Sequence, residues 1–280
     1  MSDLEEFTVE MNPATVSLEK AAMLRELGVN RVSMGVQSWD NELLATLGRV
    51  HSAQQARESY SVLRKAGFGN INLDLMFGIP GQTREQWRAT LAETVALESE
   101  HVSTYCLTYE EDTEYFARMS RSEYVPDKSL EADLFEMTME TLEGSGWSQY
   151  EISNYSRPNR QCRHNLAYWL GEDFLGLGPS AFSTAGNDRW KNVSDTAKYV
   201  TAVDTSQEPI DFRETLSENV RRSEQIAFSL RTSYGVASEL MAKAQAEEFA
   251  AIGLLVLKDR RWFLTPKGRL LADSVAEAFI

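Results

Sequence analysis

Cysteine, histidine and basic residues are all scarce in this 280-residue sequence, which has two cysteines and three histidines. Cys106 and Cys162 are too few for a disulfide framework and too far apart for a C-x-x-C motif. They therefore predict a reducing compartment and no cysteine-based metal site within this chain. Lysine and arginine total 28 against 42 acidic residues, and the resulting net charge of −14 disfavours nucleic acid as a partner.

Three further absences narrow the class of protein. No apolar run reaches the length of a membrane-spanning helix, and the acidic start does not resemble a secretory signal. We therefore expect a cytoplasmic protein without an integral membrane segment. The chain also does not open with a glycine-rich dinucleotide fingerprint, so a Rossmann domain is not favoured. A hydrophobic fraction of 42% still supports a packed core.

Strand-like and helix-like segments alternate over the first 110 residues. Strands are predicted over 7–10, 31–36, 70–76 and 101–107, and helices over 17–27, 52–66 and about fifteen residues after a Thr83–Gln86 capping pair. Such units predict parallel strands with crossover helices, in a barrel-like or doubly wound α/β domain. Later segments predict a helix over 128–146, an aperiodic stretch over 157–190, and helices over 214–231 and 236–252 before a hairpin and a closing helix.

A polar residue lies near the C-terminal end of each predicted strand. These residues are Glu10, Gln37, Asp74 and Thr108, and they are separated by 27, 37 and 34 residues, about one strand–helix unit each. In a parallel barrel, the C-terminal strand ends line the mouth where ligands bind. Asp74 interrupts an apolar strand, where a carboxylate needs a partner, water or a ligand. We predict a ligand site there with Arg49 as its cation; the alternative is a purely structural role for each residue.

Several segments, taken together, resemble radical S-adenosylmethionine (SAM) proteins of the oxygen-independent coproporphyrinogen III oxidase and HemW heme-chaperone family. They are E-M-N-P at 10–13, R-V-S-M-G-V-Q-S-W at 31–39, L-G-R-V-H at 47–51, N-L-D-L-M-F-G-I-P-G-Q-T at 72–83, H-N-L-A-Y-W at 164–169 and L-T-P-K-G at 264–268. The resemblance runs in order through nearly the whole chain. It implies an α/β fold: an incomplete (β/α)₆-type partial TIM barrel over 1–125, a middle region over 126–212, and a small α+β winged-helix-like domain over 213–280.

The resemblance also implies two cofactors, SAM and a [4Fe–4S] cluster. It places SAM against Glu10, Gln37, Arg49, Asp74 and Thr108. The two carboxylates suit the cationic groups and ribose hydroxyls of SAM, and arginine can take its carboxylate bidentately. The family's C-x-x-x-C-x-x-C cluster loop is not in this sequence. That difference predicts either a fragment of a longer protein or a paralogue without the cluster.

For function, the resemblance implies a chaperone that binds heme and transfers it to heme-acceptor proteins. His164 and Cys162 are the candidate heme ligands, while Phe182 replaces a histidine of the family's G-A-H-S motif. The alternative within the family is coproporphyrinogen III dehydrogenase, which uses the SAM radical, so whether the chain is an enzyme stays open. The H-N-x-x-Y-W block favours the chaperone. A third hypothesis is a barrel hydrolase with a metal at Glu10 and Asp74.

Overall fold

Two compact units, Met1–Cys162 and Arg163–Ile280, make up the chain. The computed structural model describes residues 4–108, 121 and 125–279. The predicted fold class is confirmed, because unit 1 contains parallel strands joined by helices and unit 2 ends in a small α+β module. The three predicted segments, 1–125, 126–212 and 213–280, stay a prediction. In the described part of the chain, no helix has the length and apolarity needed to cross a membrane.

A six-stranded sheet forms the centre of unit 1. Its strands are β1 (Thr8–Met11), β2 (Arg31–Gln37), β3 (Ile71–Phe77), β4 (His101–Cys106), β5 (Ser148–Glu151) and β6 (Asn154–Ser156). The order in the sheet is β1-β2-β3-β4-β6-β5. The first four strands are parallel, as the alternation of elements predicts, whereas β6 pairs antiparallel with both β4 and β5.

Helices connect the parallel strands and cover one face of the sheet. They are α1 (Leu18–Glu26), α2 (Asn41–Thr46), α3 (Ala53–Lys65), α4 (Arg84–Ala96) and α5 (Lys128–Gly144), with a 3₁₀ turn at Pro13–Thr15. The predicted capping box of Thr83 with Gln86 starts α4. The ring of Phe77 packs on Trp87 of α4 at 5.5 Å and on Phe135 of α5 at 6.3 Å. The helices therefore bury the apolar side chains of the strands.

Unit 2 combines two three-stranded sheets with helices. Its elements are α6 (Arg163–Leu170), β7 (Phe182–Ala185), β8 (Asp188–Asn192), α7 (Thr196–Asp204), β9 (Ile210–Thr215), α8 (Glu218–Leu230), β10 (Val236–Ala237), α9 (Lys243–Ala251), β11 (Leu255–Lys258), β12 (Arg261–Leu264), α10 (Pro266–Arg269) and α11 (Ala272–Glu277), with a 3₁₀ turn at Ser238–Leu240. The sheets are β7-β8-β9 and β10-β12-β11. The second sheet and α8 to α11 form the winged-helix-like module that the closing segments predict.

Two segments differ from the prediction. The helix predicted over 236–252 begins only at Lys243, because Val236 pairs with Trp262 in the sheet instead. A tertiary contact here overrides the local helical pattern. The aperiodic stretch over 157–190 contains α6, β7 and part of β8. These elements are too short to show a period in the sequence, which is why the prediction missed them. His164 therefore proves to lie in the first turn of a helix rather than in an irregular loop.

Candidate functional site

One face of the parallel sheet is polar. Glu10, Ser33, Asn72 and His101 lie in register across β1 to β4, and Asp74 lies in register with Ser103. Residues in register on neighbouring strands point to the same face, so these side chains share the face opposite the helices. Asp74 lies in the middle of β3 rather than at its end. The inner face of the partial barrel is thus lined by groups that form hydrogen bonds.

The Asp74 carboxylate is fixed by two neighbours. Ser33 donates its hydroxyl to Oδ2 at 2.8 Å, and the Asn72 amide donates to Oδ1 at 2.8 Å. Burial raises the pKa of the Asp74 carboxyl above its ordinary value, and the nearby charge of Glu10 acts in the same direction. The two hydrogen bonds and the charge of Arg31 oppose that rise. Two carboxylates, Glu10 and Asp74, therefore face one small volume that favours a cation or hydroxyl groups.

The end of β2 turns Gln37 onto the same polar face. The register between β2 and β3 shifts between Met34 and Gln37, and Gln37 has a positive φ of 67°. A bulge of this kind re-aims the side chain that follows it. The buried His51 ring supports the turn through a contact of 3.1 Å between Nε2 and the Val36 oxygen. The side-chain amide of Gln37 therefore lies beside Gly35, on the same face of the sheet as Ser33.

Arg49 reaches the site from the end of α2. The Arg49 amide donates to the Leu44 oxygen and the Gly48 amide to the Ala45 oxygen, with Gly48 at φ 66°. These bonds form a Schellman motif, which directs the chain back towards the sheet. Arg49 Nη2 then lies 3.3 Å from the Gly35 oxygen.

Gly35 provides the space in which the two side chains meet. A Cβ on residue 35 would lie 3.1 Å from Gln37 Nε2 and 3.2 Å from Arg49 Nη2. Such contacts are tighter than normal packing, so the missing side chain is what admits both groups. Arg49 Nε is buried and, among the described residues, has no hydrogen-bond partner. A buried donor of this kind is suited to an anionic group of a ligand.

Four of the five predicted SAM residues therefore come together on one face. The carboxylates of Glu10 and Asp74 lie on β1 and β3. The Gln37 amide lies at the end of β2, and the Arg49 guanidinium comes from the end of α2 and meets it at Gly35. This donor set fits SAM, which carries cationic groups, ribose hydroxyls and a carboxylate. Thr108 is exposed two residues after β4, next to residues outside the described part. The binding roles of all five stay predictions.

The described residues do not fit the [4Fe–4S] cluster. Three thiolates on one loop would be needed, whereas the described part of the chain holds no group of three metal-binding side chains. Cys106 lies beside Gly78 at the end of β4, and burial raises its thiol pKa to about 12. Cys162 Sγ lies 3.5 Å from Glu6 Oε1.

A buried hydrogen-bond network extends from Asp74 across the sheet, and sequence reasoning missed it. Asn72 donates to Ser33 and Ser103, and its oxygen lies 2.6 Å from His101 Nδ1. The other ring nitrogen, Nε2, lies 2.9 Å from the Tyr150 hydroxyl. The signal available in the sequence was a run of short polar residues at every second position of β2, β3 and β4.

Protonation of His101 gives a prediction about stability. Burial and the charge of Arg31 lower its pKa well below the ordinary 6.5, so the ring stays neutral in the folded chain. Below about pH 6.5 the unfolded chain takes up a proton that the folded chain does not. Acidification from pH 7.5 to 5.5 is therefore expected to cost roughly 1.4 kcal/mol of unfolding free energy through this residue.

Denaturant unfolding of wild type and His101→Gln at both pH values measures this cost. The variant is expected to be less stable at pH 7.5 but to lose less stability on acidification. His51, whose pKa is also lowered by burial, remains in both proteins and cancels in the comparison. Equal acid losses in the two proteins would show that His101 is not held neutral.

The two predicted heme ligands lie in different surroundings. Cys162 is 3% exposed at the end of unit 1, and its amide donates to the Tyr150 hydroxyl at 3.3 Å. His164 is exposed in the first turn of α6 in unit 2. Its ring lies edge-on to Tyr168, one helical turn later, with centroids 5.1 Å apart. The histidine is thus exposed to solvent, whereas the cysteine is buried.

The chain is similar to known proteins over its whole length. The Radical SAM superfamily profile matches residues 2–93. The chain is 34% identical to the heme chaperone HemW of Bacillus subtilis, over all of this chain and 77% of that protein. It is 33% identical to the heme chaperone HemW of Escherichia coli, over 98% of this chain and 75% of that protein.

Among solved structures, the fold is shared with the radical SAM enzyme coproporphyrinogen III oxidase (HemN) of Escherichia coli. The TM-score is 0.82 over 98% of this chain and 69% of that one, at 22% sequence identity. At that identity the likeness concerns the fold alone.

Proposed function

The chain belongs to the family of the heme chaperone HemW within the radical SAM superfamily, and from that premise we propose that it binds heme and passes it to heme-acceptor proteins. The observation that carries the proposal is similarity over the entire chain, including unit 2, to proteins named as heme chaperones. The alternative, coproporphyrinogen III dehydrogenase, shares the fold with this chain, but its sequence identity is lower. The chaperone is therefore the favoured function.

SAM is the small molecule that we propose for the polar face of unit 1. Glu10 and Asp74 would face its cationic groups or ribose hydroxyls, and Arg49 with Gln37 would hold its carboxylate. The support is the shared face, the raised pKa of Asp74 and the buried Arg49 Nε that has no partner among the described residues. SAM supplies a reactive sulfonium group when bound, and the residues of this chain bind and orient it.

His164 is the heme ligand that we propose, in preference to Cys162. An axial ligand needs a nitrogen or sulfur atom that the iron can approach. The exposed position of His164 allows that approach. Cys162 is 3% exposed and lies against Glu6 and Tyr150, so its sulfur would have to leave its packing first.

A hemin titration followed by the Soret band tests both proposals. Wild type is expected to bind one hemin saturably with a shifted Soret maximum. His164→Ala should weaken binding by about tenfold, the order of one lost coordination bond in a site with other contacts. Cys162→Ser, which replaces the thiol with a hydroxyl of similar size, should bind hemin like wild type. The chaperone proposal fails if wild type gives no saturable shift, and the ligand assignment fails if only the serine variant loses affinity.

A further inference from the structure

Unit 2 contains a cavity of about 470 Å³ that none of the assignments above uses. Its walls come from the end of α6, the following loop, β7, β8 and α8. Four aromatic rings line it: Tyr168, Phe174, Phe182 and Phe228. The volume falls in the range of sites for small organic ligands. Phe182 is 45% exposed and Tyr168 is 40% exposed, so large apolar surfaces face an open space.

Three of the four rings, Tyr168, Phe174 and Phe228, are held in place by contacts with other aromatic rings. Tyr168 packs on Phe174 with centroids 4.2 Å apart. Phe228 packs edge-on against Trp169, with ring centroids 5.9 Å apart. The guanidinium carbon of Arg231 lies over the Trp169 ring, 4.8 Å from its centroid. Fixed aromatic walls of this kind are suited to a flat, conjugated ligand, which gains from stacking and from burial of its faces.

The two arginines of the cavity wall differ in their partners. Arg189 donates to both oxygens of Glu224, at 2.7 and 2.9 Å, and also lies 3.7 Å from Glu214. Its charge is therefore neutralised. Arg221, one turn before Glu224 on α8, forms no ion pair in the described part of the chain. The other acidic residue of the wall, Glu172, is exposed and not paired with it.

We propose that this cavity seats the heme macrocycle, with Arg221 binding a propionate carboxylate. The inference rests on the proposed function, because it takes heme as the ligand and assigns the place where the ring lies. Aromatic walls recognise the ring, and a guanidinium with no ion-pair partner among the described residues can bind a carboxylate bidentately. His164 lies edge-on to Tyr168, so the proposed iron ligand and the cavity wall share helix α6. Phe182, which replaces the histidine of the family's G-A-H-S motif, forms part of the cavity wall.

Two probes and two variants test the assignment. The probes are hemin and hemin dimethyl ester, which keeps the ring and the iron but carries no carboxylate charge. Arg221→Met is expected to raise the hemin Kd by about tenfold and to leave the ester Kd within about twofold, because a hydrogen-bonded charge pair is lost. Phe182→Ala removes wall surface and should raise both Kd values by roughly fivefold.

The control is Arg213→Met, which removes the same charge from the same unit. Arg213 pairs with Glu208 and lies outside the cavity wall, so its hemin Kd should equal that of wild type. If wild type binds hemin but Arg221→Met binds it equally well, the cavity assignment is overturned and the chaperone proposal stands. Equal weakening of hemin and ester by Arg221→Met overturns the propionate contact. Failure of wild type to bind hemin overturns both proposals.

Discussion

Asp74→Asn is expected to reduce SAM affinity by at least about tenfold while leaving the fold intact. The substitution keeps the shape of the side chain but removes the negative charge, and a hydrogen bond to a charged group contributes about 1.5–3 kcal/mol. Burial and Glu10 already raise the pKa of this carboxyl, so folding holds the charge at a cost. The amide nitrogen cannot accept one of the two hydrogen bonds that Asp74 receives, but the cost of the buried charge is also removed. The unfolding free energy should therefore stay close to that of wild type.

Equilibrium dialysis with SAM and denaturant unfolding separate the two effects. The matched control is Asp133→Asn. Asp133 belongs to the same unit, is partly exposed and pairs with Arg84. It should bind SAM like wild type, if the polar face of unit 1 is the site. Unchanged SAM affinity in Asp74→Asn would remove this face as the proposed site. A loss of stability instead of affinity would make Asp74 a structural residue.

Gly176→Ala is expected to destabilise unit 2 by roughly 2–3 kcal/mol, the range for overpacking a closed site. A Cβ on residue 176 would lie 2.1 Å from the Phe182 oxygen and 2.9 Å from the Ala181 Cβ. The close atom belongs to the backbone, so the start of β7 must move. That movement displaces Phe182 from the cavity wall, and we expect hemin affinity to fall with stability.

The comparison variant is Gly69→Ala, where an added Cβ meets nothing within 4 Å. Gly69 also lies outside the positive-φ region, so alanine fits its backbone. Thermal unfolding followed by tryptophan fluorescence, together with a hemin titration of each variant, gives both readouts. The packing argument is wrong if alanine at 176 proves no more harmful than alanine at 69.

The parallel half of unit 1 was predictable because its signals are local. Each signal involves residues that are close together in the sequence. The signals are apolar runs of strand length, glycines after helices and the Thr83–Gln86 capping pair. Asp74 stood out because a charge inside an apolar run is costly without a partner. These local signals placed the polar residues Glu10, Gln37 and Asp74 on successive strands.

The contacts between strands were not predictable in the same way. The bulge that turns Gln37 inward depends on the register between β2 and β3, which one strand alone does not determine. The same holds for the network through Asn72 and His101, whose members lie on different strands. Arg31 is 2% exposed and acts electrostatically on both Asp74 and His101. Its position at a strand start gave no sign of burial.

The cavity in unit 2 was also beyond the sequence. Part of its wall comes from α6, β7 and β8, which are short elements that begin in a stretch without period. Another part, including Arg221, comes from α8, whose sequence pattern is that of an ordinary amphipathic helix. The H-N-x-x-Y-W block contributes Tyr168 to the cavity wall, but only the fold shows Tyr168 beside Phe174 and His164 beside Tyr168. The proposed seat for a flat ligand depends on side chains that are distant in sequence.

Heme transfer from the loaded chain to apomyoglobin tests the chaperone proposal most directly. The chain is first saturated with one equivalent of hemin, cleared of excess by gel filtration, and mixed with apomyoglobin in excess. We predict that the hemin survives gel filtration on the chain and then appears stoichiometrically as holomyoglobin. Loss of hemin during gel filtration, or retention on the chain in the presence of excess apomyoglobin, would contradict a protein that both holds heme and gives it up.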